Sequence, residues 1–343
     1  MKRILLFFMA VLPVWAAGQN VTDVSARQVG NTVEVTYSLD KATTVSLLLS
    51  QDGGQTYAAT PKAVTGDVGQ VQTGNNKKIV WNLLKDAPDW DIAQARFKVV
   101  AEKIKSLRTF IVSGVLFTMI RVEGGTFTMG CTPEQGDECN DNETPAHQVT
   151  LSDYYIGQTE VTQGLWKAVM KGNPSKFSYG DNYPVEQVSW DDCQTFISKL
   201  NSLLESELGG AKFALPTEAQ WEYAARGGNK SQYYKYSGSN SITNFVWNKD
   251  NSTTTHPVGT KFSNELELYD MSGNVWEWCH DRYGSYKKGA QTDPTGATSG
   301  SARVYRGGSW MDGAKNCRVS ARGRNTASEG YFFNGLRLVL LQF

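Results

Sequence analysis

Five cysteines, three histidines and the carboxylates around them are the side chains of this chain that could do chemistry. Cys131 and Cys139 bracket a short acidic loop, CTPEQGDEC. Two sulfur donors at this spacing, with His147 and nearby carboxylates, could hold a metal. The simpler reading is a disulfide in an oxidising compartment, and Cys131–Cys139 is expected to be one. Closing so short a loop contributes about 2–3 kcal/mol by restricting the unfolded chain. Cys193 falls on the apolar face of an expected helix, where a thiol is a small core residue rather than a nucleophile. His147, His256 and His280 are scattered, without the i, i+4 pair of a metal-binding helix. No nucleophile elbow, phosphate loop or paired-carboxylate signature is present. What remains is the run from Tyr269 to Arg337, with LYDMSGNVWEWC, RVYRGGSWMDGAKNCRVSAR and NGLRL at its heart. It lacks helical periodicity and is too polar for a plain core, so buried aromatics and side-chain hydrogen bonds must hold it.

These motifs, with LPTEAQWEYAARGG from Leu215 and MIRVEGGTFTMG from Met119, resemble the formylglycine-generating enzyme (sulfatase-modifying factor) family over about Met119 to Leu340. The resemblance implies an α+β, irregular, C-type-lectin-like fold. It also implies a structural calcium ion held by Asp270, Gly273, Val275 and Glu277, where two carboxylates and backbone carbonyls around a Gly-Asn turn offer hard oxygen donors. A second calcium site of the family would fall near Asn244 to Asp250, without a clear match. The family's oxidases bind copper(I) through two cysteines five residues apart after RGGS. Laid on Arg306-Gly307-Gly308-Ser309, the second position is Cys317 and the first is Asp312. A carboxylate is a hard donor and cannot form a mixed disulfide, so the pair is broken and copper is not expected. Relieved of that role, Cys317 is expected to pair with Cys279, which ends WEWC where the enzyme has no cysteine.

Two functions from different classes follow. One is a binding protein, taking an unidentified protein or glycan ligand. Some family members use this C-terminal segment as a hypervariable face, diversified by a reverse transcriptase. The matching surface here is Trp310, Met311, Asp312, Gly313, Arg324, Asn325, Tyr331, Phe332, Phe333 and Asn334, with Thr326 and Ser328 beside them. Mixtures of Gly, Ser, Asn and Tyr suit adaptable contact surfaces. Met311 and Glu329 cannot arise from randomised Asn-type codons and would be fixed. The alternative is a divergent extracytoplasmic oxidase in which Cys317 is the catalytic residue, or a cell-surface scaffold component. The binding reading is preferred to an active formylglycine-generating oxidase.

The elements that must position these residues can be read in outline. From Val21 to about Glu102, short alternating strands with Gly-rich turns suggest a β-sandwich of immunoglobulin or fibronectin type, spanning 20–103, with Trp81 and Trp90 in its core. A connector is expected over 104–118 and the second domain over 119–343. Thr162 caps one helix. Ser189 with Asp192 opens a second, whose Cys193, Phe196, Ile197, Leu200, Leu203 and Leu204 form one apolar face. Thr217 with Gln220 makes the capping box of a third, which Gly227 ends.

Charge and length bound the rest. Thirty-four basic and thirty-four acidic residues give a formal charge of +0, which points away from nucleic acid as a partner. Residues 1–18, with Lys2, Arg3, an apolar run and Ala16-Ala17-Gly18, read as a secretory signal peptide. The expected location is periplasmic, cell-surface or secreted. No further apolar run is long enough to span a membrane.

Overall fold

Alternating apolar residues build the first unit. In the computed structural model, residues 11–12, 14–17, 21–40, 43–50, 57, 60–86, 95–102 and 106–341 are described, and the chain divides into units 1–105 and 106–343. Val33, Val35 and Tyr37 of Thr32–Leu39, with Ile79 and Trp81 of Gly74–Asn82, face Val45, Leu47 and Leu49 of Thr43–Ser50 and Phe97 and Val99 of Arg96–Glu102. These strands belong to two sheets, so one apolar core lies between them. Trp81 is in that core as expected, while Trp90 lies outside the described residues. Most of the expected leader (1–10, 13 and 18) also lies outside them. Its remaining residues form edge strands: Val11–Leu12 pairs with Val21–Val29, and Val14–Ala17 runs parallel to Arg96–Glu102.

The second unit begins earlier than its expected boundary. Instead of a connector over 104–118, Leu107–Val112 and Val115–Val122 pair as a hairpin. Ser113 (φ 49°) and Gly114 (φ 84°) supply the left-handed two-residue turn that fits the strand twist. The hairpin continues through Tyr154–Gly157 and Val339–Leu341 to Lys212–Ala214, making a five-stranded sheet. Gly125–Met129, His147–Leu151 and Gln291–Thr292 form a three-stranded sheet. The third sheet orders Arg322–Thr326, Ala302–Arg306, Trp276–Arg282 and Asn334–Leu336, the last pair parallel. Long stretches between these strands carry no ladder, as in an irregular α+β fold.

The helices start where the sequence places them. Thr162 caps Gln163–Met170, Ser189 and Asp192 cap Trp190–Leu203 reciprocally, and Thr217 and Gln220 do the same for Glu218–Ala225. Cys193, Phe196, Ile197, Leu200 and Leu204 are buried, but Leu203 is exposed because the helix ends there and turns away.

Candidate functional site

The Trp276–Arg282 strand places Glu277 in the interior, and a buried guanidinium meets it. Arg337 Nε donates to both Glu277 oxygens (3.0 and 2.9 Å), Nη2 donates to Oε1 (2.7 Å), and Trp221 Nε1 donates to Oε2 (2.6 Å). Arg337 also donates to the carbonyls of Gly157 and Tyr269. Asp270 accepts from Gly259 N–H at 2.7 Å. The turn between these acids needs Gly273: at φ 90°, a Cβ there would stand 2.2 Å from Trp247 O. A third carboxylate, unnoticed in the sequence, joins them. Buried Glu160 accepts from Asn274 Nδ2 (2.8 Å) and from Val275 N–H (3.2 Å).

These acids outnumber the cation facing them. Burial, then repulsion from Asp270 and Glu277, holds the Glu160 carboxyl well above the usual carboxylate range. Burial likewise pushes Asp270 up to about 6, against the pull of Gly259 N–H and Arg337. Of the expected calcium ligands, Glu277 is committed to Arg337 and Trp221. Among the described residues, no three His, Cys, Asp or Glu side chains converge on one point. Side chains therefore form no carboxylate cage here: Glu277 is taken by Arg337 and Trp221, and burial opposes the ionisation of Glu160 and Asp270.

On the other side of the same strand, Asp312 is held from three directions. Trp276 Nε1 (2.8 Å) and Ser309 Oγ (2.5 Å) donate to Oδ2, and Asn316 Nδ2 (2.9 Å) donates to Oδ1. Trp310 meets Phe177 edge-on at 5.4 Å and lies 6.1 Å from Phe332, over which Lys176 sits at 4.1 Å. The Trp310 Nε1–H, both ends of the Asn334 carboxamide and Glu186 Oε2 are buried without a partner. Such groups cost stability unless a water or ligand meets them.

The proposed ligand face is divided by the fold. Met311 and Tyr331 are exposed, Gly313 is half-buried beside Lys249, and Tyr331 stacks on half-buried Phe333 at 5.2 Å. Asn334 is buried instead. Arg324 and Asn325 lie on Arg322–Thr326, at the opposite edge of the sheet from Asn334–Leu336, and Arg324 sits over Tyr283 at 4.6 Å. They do not join the Trp310 cluster. Phe177, Lys176 and Glu186, which do, come from a loop far away in sequence.

The cysteines separate into one bond and three thiols. Cys131 and Cys139 form the expected disulfide. The expected Cys279–Cys317 bond is not present: both are free and buried, as is Cys193. They occupy different cores, Cys279 among Trp221, Leu268 and Val304, Cys317 against Tyr236 and Val246. Cys317 is also covered by Gly308, where a Cβ would stand 2.7 Å from its Sγ. Burial pushes both thiols well above their ordinary range, away from the reactive thiolate.

The missing partners had one sequence signal. Residues 303–337 hold six arginines against Asp312 and Glu329, so acids elsewhere had to meet them. Glu143, Glu218, Glu222 and Glu277 do, binding Arg318, Arg322, Arg306 and Arg337.

Known proteins agree with this architecture. Residues 113–341 match the sulfatase-modifying factor enzyme 1-like domain. The chaperone protein LppX of Paenibacillus barcinonensis is 32% identical over 267 residues, covering 64% of this chain and 88% of LppX. The formylglycine-generating enzyme of Streptomyces coelicolor is 29% identical over 276 residues, covering 60% of this chain and 84% of the enzyme. Among solved structures, Treponema denticola variable protein 1 aligns at TM-score 0.61 and 32% identity, covering 69% of this chain and 99% of that one. PvdO from Pseudomonas aeruginosa, at TM-score 0.57 and 22% identity over 70% of this chain and all of its own, shares the fold. The family match spans about two-thirds of the chain, and this protein belongs to the sulfatase-modifying factor (formylglycine-generating enzyme) family.

Proposed function

We propose that this protein is an exported binding module of its family that does not make formylglycine, with a working surface at Trp310–Gly313 and Tyr331–Phe333. The observation that carries the reading is the state of Asp312. It stands where an oxidase needs a soft thiolate, and its carboxylate is engaged by Trp276, Ser309 and Asn316. Cys317, the other half of such a pair, is a buried thiol with burial opposing its ionisation. Around them, half-exposed aromatics surround buried polar groups that lack partners, an arrangement that favours occupation by a ligand. That LppX is named a chaperone accords with binding rather than oxidation.

The test supplies copper, oxygen and a Cys-x-Pro-x-Arg peptide to the wild type and to Asp312→Cys. Neither background turnover nor peptide oxidation is expected from the wild type, and turnover by it would sink the reading. Turnover confined to Asp312→Cys would identify the missing thiol as the cause. Calcium is proposed as a structural ion near Asp270, Gly273, Val275 and Glu277, supported by three buried carboxyl groups, Glu160, Asp270 and Glu277, around the Gly273-Asn274 turn, whose ionisation a bound cation would favour. A ligand bound only by the native state raises its stability. Melting should therefore fall in chelator and recover with calcium; an unchanged midpoint with no metal in the purified protein would remove this part.

A further inference from the structure

A second recess lies away from the Asp312 face, with a cavity of about 650 Å³ lined by Gly125–Thr128, Gln148, Tyr223, Gly228, Asn229 and Tyr233. Its floor is aromatic: Phe127 and Tyr223 pack at 5.1 Å and 47°. Glycines keep that floor open. A Cβ on Gly125 would stand 2.6 Å from the Tyr223 hydroxyl, and one on Gly228 would lie 3.6 Å from its ring. At the rim, Tyr233 is 73% exposed and has φ 59°, a left-handed conformation unfavourable for a bulky residue. Its backbone N–H donates to Ser231 Oγ at 3.2 Å, which supports this turn of the main chain.

The polar groups of the recess decide the ligand class. Arg226 is the cation there, and it is already neutralised: it binds Glu134 (2.6 Å), Glu222 (2.8 Å) and Gly130 O (2.8 Å), with its side chain 7% exposed. Asn229 Nδ2 donates to Glu123, and Gln148 Nε2 donates to Thr128 Oγ1. That leaves amide oxygens, hydroxyls and a displayed ring, with no unmatched charge for an ionic ligand. Neutral molecules with many hydroxyls and an apolar C–H face match this set, the ring covering the face and the amides and hydroxyls taking the edges. We infer that this recess is a binding site for neutral carbohydrate, with Tyr233 as its stacking platform and Gln148 and Asn229 as hydrogen-bonding groups. The site is independent of the Asp312 face.

The experiment is saturation-transfer NMR and calorimetry on the full chain with cello-, chito-, malto-, xylo- and manno-hexaose at millimolar concentration. At least one should bind, with transfer from aromatic protons. Tyr233→Ala should weaken binding tenfold or more at unchanged melting temperature, because the ring is mostly outside the core. Tyr233→Trp should retain it, and Gln148→Ala should reduce it severalfold. No binding to any of the five sugars, or binding unaffected by Tyr233→Ala in a folded variant, would overturn the inference.

Discussion

Among the described residues from Val21 to Val99, the buried side chains are aliphatic and aromatic with a few hydroxyls, whereas between Glu143 and Arg337 the interior holds arginines paired with glutamates. The difference follows from how each unit satisfies its backbone. Paired strands in the first unit bond their N–H and C=O groups to each other, so apolar side chains can fill the space between sheets. The second unit has long unpaired segments, whose carbonyls need other donors. Arg306 supplies them to Val319, Ser320 and Ala321, Arg337 to Gly157 and Tyr269, and Arg322 to Asn142 and Gly284. A guanidinium has five donors in a rigid fork and keeps its charge when buried, so one side chain can serve a glutamate and several carbonyls together.

Removing one such arginine should therefore do most damage. Arg306→Ala strips one of the two guanidiniums from buried Glu222, leaving Arg226, and leaves three carbonyls without donors. A loss of about 3–5 kcal/mol is expected, read by denaturant melts and by hydrogen exchange within residues 106–341. A loss below 1 kcal/mol would break the comparison. In the sandwich, Leu47→Ala removes only packing and should cost about 2–3 kcal/mol, with loss of exchange protection in residues 21–102.

The polar interior should also carry a pH dependence that the apolar one lacks. Burial, then repulsion from Glu218, raises the Asp281 carboxyl to about 8. The folded state then holds a proton that the unfolded state releases above its ordinary pKa of 3.8, so stability falls as pH rises from about 4 to 8. The slope approaches about 1.4 kcal/mol per pH unit at most. Asp281→Asn cannot ionise, and its side-chain oxygen can still accept from Glu218 N–H, so the variant should lose that slope and be the more stable at pH 8. Identical profiles for both proteins would dismiss this source. The smallest expected effect is Thr217→Ala, about 1 kcal/mol from a lost cap on the helix carrying Glu218 and Glu222. Thermal melts measure it, and an effect as large as that of Arg306→Ala would mean the helix start governs the ion pairs.

Much was legible in the sequence because its causes are local. Alternation in Thr32–Leu39, the reciprocal caps at Ser189 and Thr217, and the Cys131–Cys139 pair eight residues apart each depend on neighbours along the chain. The C-terminal motifs gave the family, and Asp312 in place of a thiolate could be read from type and spacing alone. The hairpin at Leu107–Val122 is also local, with its Ser113-Gly114 turn inside the stretch expected as a connector.

What only the tertiary structure decided depends on distance through space. Glu160 reaches the Gly273-Asn274 turn across 114 residues of chain, and Cys279 and Cys317 lie in different cores although both sit beside the same motifs. Arg324 and Asn334, only ten residues apart, fall at opposite edges of one sheet. Sequence spacing fixes what neighbours on one element can do. Which elements meet is set by chain reversals, and those brought Arg306, Arg318, Arg322 and Arg337 to their glutamates.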